Sequence, residues 1–305
     1  MPSSILVTGA TGNQGGAVIK ALLNSPNFSS SDITIYALTR NPDSPGAKAL
    51  VEKDSKAIRL LKGDLSDPVA IFKGAPDTIN SVFCVTIPNF SGAEKEEVQS
   101  KAFIDAAVEN GVEHFVLTSV DRHGADSDTN DTNVPHFKSK ANVERHLKEK
   151  STSSNISWTI LRPVAFMENI QPGFMGTIFG TAWKIALPPT TKIQLISTED
   201  IGYFGAQALL KPKEYHARAI SLAGDELTFA EGDKVFREVT GKPIPTTFGF
   251  IVRFLLWAVN DVGEMFRWFA DVGYAADVQA LRQEYRGLRS FKDWVETSPF
   301  APSHH

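Results

Sequence analysis

The sequence predicts an α/β fold: a doubly wound parallel Rossmann sheet with a smaller α/β C-terminal substrate-side domain. Three observations carry this prediction. Short, almost continuously apolar runs alternate with helical patterns through the first half of the chain, as βαβ units do when their strands are buried on both faces. The first of these runs leads directly into a glycine-rich turn and a helix start, the arrangement of a nucleotide-binding first crossover. The chain has 305 residues, 42% hydrophobic and 22% charged, enough for one large or two coupled domains around a sizeable core.

Taken in order, strands are expected at residues 5–8, 33–38, 57–61, 81–85, 115–118 and 158–161. Helices are expected between them at 15–24, 45–54, 68–72, 94–110 and 136–150. Right-handed crossovers place such helices on both faces of the sheet. After Arg162 the rhythm breaks. Residues 164–190 are rich in Phe, Gly and Pro without clear periodicity, and glycine-rich 172–180 is expected to form a mobile lid. Further on, a strand is expected at 192–197, a helix opening at 197–200 and running to 210, and a strand at 217–222. A helix at 228–240 is closed by Gly241 and Pro243, and 248–297 reads as helical and aromatic-rich. The polar stretch 126–133 reads as a mobile loop. Residues 1–160 are therefore expected to form the nucleotide-binding domain, with later segments returning to its sheet, and 161–300 a substrate or partner domain.

Composition narrows the function. Against 35 acidic residues stand 31 basic ones, a net charge of −4, which argues against a nucleic-acid partner. One cysteine, Cys84, excludes an intrachain disulfide and a cysteine-rich metal site, and fits a reducing compartment. Scattered histidines without ligand spacing argue against a catalytic metal. No basic and apolar leader opens the sequence, and the most apolar run, 248–259, is too short to span a bilayer and carries Arg253. No membrane partner is expected, and the expected location is the cytoplasm, with the nucleus left open.

The strongest local signal is the run ILVTGATGNQG at 5–15. Gly9 permits the tight turn out of the strand. Gly12 lacks a Cβ, so the backbone can approach a pyrophosphate, and Gly15 lets the helix pack on the strand. The helix N-terminus beyond offers free N–H groups and its positive dipole end. Gly9, Thr11, Gly12, Asn13, Gln14 and Gly15 are thus the expected phosphate-side contacts of a dinucleotide. The spacing is G-x-x-G-x-x-G, so the strand–turn–helix context carries the reading. At the end of the second strand Arg40 stands where an NAD-selective site would place an acidic residue. A planar cation there suits a 2′-phosphate, favouring NADP(H) over NAD(H); the alternative is an exposed arginine in a solvated loop. Asp64 and Leu65 follow the third strand. Asp64 is read either as a contact to the adenine edge or as a turn residue. Thr86, Ile87 and Pro88 end the fourth strand, where loops reach the ligand crevice, and Cys84 inside that strand reads as packing.

Together with Gly63-Asp64, the segment HFKSK at 136–140 followed by Val143-Glu144, and LRPVAFMEN at 161–169, these features resemble the NmrA-like family of atypical short-chain dehydrogenase/reductases. The ending GYAADV at 273–278, with Leu281-Arg282 and FKDW at 291–294, is similar too. The resemblance covers essentially the whole chain. It implies a Rossmann domain with a smaller C-terminal substrate domain and binding of NADP(H) or NAD(H). Members of the family are redox sensors and co-regulators, or reductases of quinones and other unsaturated carbonyls.

The resemblance also sets the catalytic question. The typical superfamily member uses Ser, Tyr and Lys, with Tyr-x-x-x-Lys on one helix face. Here His136 stands at the Tyr position, Lys140 at the Lys position and Ser119 near the Ser position. Lys140 is expected to contact the cofactor ribose or relay a proton. His136 is either a proton donor or a packing residue, and Ser119 either orients a substrate oxygen or caps a strand end. The resemblance places Pro163, Val164, Phe166 and Asn169 beside the nicotinamide. Phe166, Met167, Phe174, Phe179, Trp257, Phe266, Trp268 and Phe269 are read either as an apolar pocket or as core. Two functions stay open: an NADP(H)-dependent reductase of an apolar or aromatic carbonyl, quinone or imine, and a non-catalytic dinucleotide sensor acting through a protein partner. An epimerase or dehydratase usually retains Tyr-x-x-x-Lys, which this chain lacks.

Overall fold

The computed structural model describes residues 3–86, 92–130 and 132–302. Along the chain run β1 (Ser3–Val7), α1 (Asn13–Leu23), β2 (Ile33–Thr39), α2 (Pro45–Lys53), β3 (Ile58–Lys62), α3 (Pro68–Gly74), β4 (Ser81–Cys84), α4 (Ala93–Glu109) and β5 (His114–Thr118). There follow α5 (Pro135–Ser153), β6 (Ser157–Pro163), β7 (Ala165–Phe166), α6 (Phe174–Ala186), β8 (Ile193–Ile196), α7 (Thr198–Leu210), α8 (Pro212–Tyr215), β9 (Arg218–Leu222) and β10 (Asp225–Leu227). The last elements are α9 (Phe229–Thr240), α10 (Gly249–Ala258), α11 (Asn260–Asp271), α12 (Val278–Glu284) and α13 (Phe291–Thr297).

The chain divides into two compact units that interleave along the sequence. The first is 1–119, 139–162 and 201–220; the second is 120–138, 163–200 and 221–305. Residues 201–220 return to the first unit, and 120–138 leave it for the second. The boundaries fall inside α5, β6, α7 and β9, so single elements contribute to both units.

The larger sheet has the order β3-β2-β1-β4-β5-β6-β9, and its pairs from β3 through β6 are parallel. This is the doubly wound order expected from the alternation. The order reverses between β1 and β4, where Val7 lies opposite Ala37 on one side and Phe83 on the other. Loops leaving the carboxyl ends of strands at such a reversal bound a ligand crevice. The strands are buried because their side chains feed a core on both faces; Leu6, Val82, Phe103, Phe115, Leu147 and Ile160 belong to one cluster. Cys84 lies in it. Burial pushes its thiol up to about 12, so it acts as packing.

The second unit has a small sheet, β10-β8-β7, antiparallel across the first pair and parallel across the second. Its core is aromatic. Trp183 is buried and meets Phe229 and Phe291 edge-on. α9 begins with a capping box between Thr228 and Glu231 and ends at Gly241 in the left-handed region, φ 70°, as its turn residues predict.

One expectation is corrected. The segment 172–180 is not a loop: α6 occupies it from Phe174 onward. Its glycines serve close packing, since a Cβ on Gly176 would sit 1.9 Å from the Gln171 carbonyl oxygen. They dilute the helical signal in the sequence. The polar stretch near 126 contains a 3-10 turn, Gly124–Asp128. Buried Asp121 organises it, accepting bonds from the Gly124 and His123 amides, the Ser127 and Ser221 hydroxyls, and the Ala275 amide.

Candidate functional site

The first unit assembles its polar groups at the carboxyl ends of β1, β4 and β5. β1 leads into the glycine turn. Gly9 has φ +57°, and a Cβ there would lie 2.6 Å from Val85. A Cβ on Gly15 would lie 2.4 Å from the Gly9 carbonyl oxygen. The protein's own packing therefore demands glycine at 9 and 15. Gly12 is different, because its added Cβ would meet only the Gly9 oxygen, at 3.3 Å. Gly12 caps α1 without any side-chain hydrogen bond, which leaves first-turn N–H groups without an intrahelical partner. Gly9, Thr11, Gly12 and Asn13 are exposed. An open loop, uncapped amides and a glycine that packing does not require together fit a dinucleotide pyrophosphate. The loop is anchored from behind. Thr8 Oγ1 donates to the Val85 carbonyl and accepts from the Val85 amide, both 2.8 Å. The Thr118 hydroxyl donates to Gln14 Oε1 at 2.7 Å.

Arg40 ends β2 exposed, available to a phosphate. Asp64 accepts from the Ser66 amide at 2.8 Å and the Ser66 hydroxyl at 2.7 Å. Those bonds, with a smaller contribution from Arg40, hold its carboxyl below the usual range. Of the two readings of Asp64, the turn role is the one made here by its Oδ1. Leu65 packs, half-buried, on the core.

The densest polar cluster joins three elements. The Thr86 hydroxyl, just past β4, donates to Glu96 Oε1 of α4 at 2.6 Å. Lys140 Nζ of α5 donates to the same oxygen at 2.9 Å and lies 3.5 Å from Thr86 Oγ1. The Lys140 side chain is 12% exposed and that of Glu96 2%. Glu96 Oε2 is buried with no hydrogen-bond partner among the described residues. These groups line a small cleft with Leu117, Thr118, Ser119 and Val143. An ammonium, a carboxylate and a hydroxyl so arranged can hold and pass a proton.

Ser119, beyond β5, does something else. Its hydroxyl donates to Glu144, whose carboxylate also receives Arg162, Nη2 to Oε2 at 2.6 Å and Nε to both oxygens at 3.2 Å. All three residues are buried. Of the two readings of Ser119, substrate orientation or a strand-end cap, the first finds its hydroxyl proton committed to an internal carboxylate.

In the second unit, His136 is buried and its Nδ1 bonds Asp261 of α11. Its ring lies edge-on to Phe137, 4.6 Å between centroids. Of its two readings, this environment is that of a packed, carboxylate-held histidine. The spacing of His136 and Lys140 suggested one catalytic pair; each instead has its own buried carboxylate. Pro163 closes β6 and Val164 donates its amide to Leu222; both are buried. Phe166 and Asn169 are half-buried around a 3-10 turn at Met167–Asn169. Met167, Phe266, Trp268 and Phe269 belong to the core and Phe179 packs against it, whereas Phe174 and Trp257 are exposed. Ile87 and Pro88 lie outside the described residues.

A family model, the NmrA-like family, matches residues 1–296. The chain belongs to the NmrA-like family. An NmrA-like family domain-containing oxidoreductase, FrzB of Cladobotryum sp, is 26% identical over 78% of this chain and 74% of its own length. The triphenylmethane reductase of Citrobacter sp., solved as its NADP(H) complex, superposes with a TM-score of 0.72 at 19% identity, covering 96% of this chain and 99% of that one. NmrA, a negative transcriptional regulator solved with NAD, superposes at 0.67 and 16% identity, covering 98% and 95%. These solved structures share the fold.

In this NmrA-like chain the residues missing from the sequence reading are mostly the carboxylates. Glu96 is one of several acids in its segment, but it falls in helical phase with Ser100, Phe103, Ile104 and Ala107, all buried. An acid on an apolar helix face is the signal that marks it. Glu144 and Arg162 stand inside the segments that carry the family resemblance, and their mutual contact gives those segments a structural reason. Asp261 pairs with a residue 125 positions away, and nothing local announces it.

Proposed function

We propose that this NmrA-like chain is an NAD(P)H-dependent oxidoreductase that prefers NADPH and reduces an apolar or aromatic conjugated carbonyl, quinone or imine. The observation that carries the reading is Lys140, whose ammonium is fixed by Glu96 and Thr86 at the strand ends flanking the glycine loop. When bound, the reduced dinucleotide supplies the hydride. The chain supplies the rest. The first-turn amides of α1 bind the anionic pyrophosphate. Arg40 presents a planar, bidentate cation to the 2′-phosphate that distinguishes NADPH. Lys140 gives a proton from Nζ to the substrate atom on which negative charge develops, and Glu96 and Thr86 orient that nitrogen. The names of its relatives, a triphenylmethane reductase with NADP(H) and an oxidoreductase of the same family, support this reading.

A second reading has its own observation. Glu96 is a buried counter-ion to Lys140, and a lysine so held, without the tyrosine typical of the wider superfamily, suits a protein that binds the dinucleotide without turning it over. NmrA, a negative transcriptional regulator solved in complex with NAD, shares the fold and supports this reading. Calorimetric titration with NADPH and NADH tests what both readings share. Tighter binding of NADPH supports it; no binding of either overturns both. Acceptor-dependent consumption of NADPH separates the two.

A further inference from the structure

Helix α10 of the second unit has an outer face that is exposed among the described residues. Of its residues only Val252 is buried. Phe250, Phe254 and Trp257 stand at 71%, 65% and 79% exposure, with Phe248 at the N-cap at 69%. At 100° per residue, positions 250, 254 and 257 fall within about 60° of one another, one stripe on one side of the helix. The rings touch in two pairs along it: Phe248 with Phe250 at 5.8 Å and Phe254 with Trp257 at 5.7 Å between centroids. A stripe of three large aromatic side chains, extended at the N-cap by Phe248 against Phe250, costs solubility, and single exposed apolar residues do not explain it.

The charge around the stripe indicates what covers it. From Phe248 to Asn260 the one charged residue is Arg253, and the segment holds no acid, although the chain as a whole carries −4. Arg253 is exposed, next to Phe254 and beside the stripe. Aromatic rings with a long cation at their edge match a lipid–water interface: rings enter the acyl boundary and the guanidinium stays with the phosphates. Trp is the side chain most at home at that depth. The expectation of no membrane contact rests on the shortness of this segment. Length limits a helix that spans a bilayer; it does not limit one that lies in the interfacial plane. No described helix is long and apolar enough to cross a membrane.

We propose that α10 docks this protein on an anionic lipid surface, with Phe248, Phe250, Phe254 and Trp257 inserted and Arg253 on the headgroups. An apolar second substrate would be concentrated in the same layer. The inference does not depend on the oxidoreductase reading, because it concerns a face of the second unit.

The test is sedimentation of the whole protein with vesicles of phosphatidylcholine, alone and mixed with phosphatidylserine. The wild type is expected to partition onto the mixed vesicles and less onto neutral ones. Phe254→Ser with Trp257→Ser is expected to lower the partition coefficient by about tenfold or more. Arg253→Gln is expected to lower it by about fivefold on mixed vesicles only. These positions are exposed, and unchanged circular dichroism and NADPH affinity verify that the variants fold. A blue shift of emission lost in Trp257→Phe places that ring in lipid. Three results overturn the proposal: no partition onto either vesicle, partition unaffected by the double variant, or a stable dimer by light scattering that the double variant converts to monomer.

Discussion

Lys140 and Glu96 form an ion pair, Nζ to Oε1 2.9 Å, in which the carboxylate is buried, and the Thr86 hydroxyl lies on the same carboxylate oxygen. A lysine that the sequence places four residues after a histidine is therefore governed by an acid on another helix. The pair couples stability to chemistry, because the groups that fix the ammonium also keep each other's charge balanced in a poorly solvated cleft.

Removing one partner strands the other. Glu96→Ala is expected to destabilise the protein by about 3 kcal/mol, through an ammonium left without its counter-ion in a poorly solvated cleft. The double replacement Glu96→Leu with Lys140→Met is expected to recover most of that loss while remaining inactive. Urea unfolding of the two variants checks this; equal destabilisation in both would contradict the pairing.

Ser119 and Arg162 separate structure from catalysis. Arg162→Met leaves Glu144 buried without its bidentate partner and is expected to cost about 3 kcal/mol or more. Ser119→Ala removes one hydrogen bond and is expected to cost about 1 kcal/mol, with turnover within about twofold of wild type if the hydroxyl serves Glu144 alone. A large fall in turnover without loss of stability would return Ser119 to the substrate.

The three loop glycines should respond differently. Gly15→Ala forces a methyl to within 2.4 Å of the Gly9 carbonyl oxygen and is expected to lower the melting temperature by several degrees. Gly12→Ala has no comparable clash. It is expected to melt within about 2 °C of wild type yet bind NADPH at least about tenfold more weakly. Calorimetry and thermal melts distinguish them.

Arg40→Ala should raise the Kd for NADPH by about tenfold or more and leave NADH nearly unchanged, since only NADPH offers the 2′-phosphate. Equal affinities for both cofactors in the wild type would remove Arg40 from the account.

Burial lifts the Asp200 carboxyl to about 7, with nearby Glu168 and Glu199 adding to it and Arg289 opposing. In the unfolded chain such a group ionises near about 3.9. The folded state holds the proton more tightly, so this group's favourable contribution is complete below about pH 4 and is lost as pH rises through about 7. Glu168, also raised by burial, acts in the same direction. Asp200→Asn is expected to flatten the fall in stability between those pH values, read as denaturation midpoints. Parallel pH profiles for wild type and variant would contradict it.

The sheet and the glycine loop were legible because local patterns encode them: apolar runs of strand length, glycines at a turn, Gly241 after a helix. The place of Arg40, exposed just past β2, was legible from the strand pattern. The readings that changed depend on contacts far apart in sequence. Asp261 reaches His136 from 125 positions away and Glu96 reaches Lys140 from 44, and no local period reports either. α6 was hidden because Gly176 and Gly180 answer to backbones they pack against, Gln171 and Pro245, rather than to helix propensity.

The most direct test of the account is NADPH consumption by wild type and Lys140→Ala in the presence of a panel of quinones, enones and aromatic imines. Acceptor-dependent turnover is expected of the wild type, and a loss of about 100-fold or more in the variant when both are assayed at a temperature where each is shown to be folded. Tight NADPH binding with no acceptor-dependent consumption, or equal rates in both proteins, would contradict it.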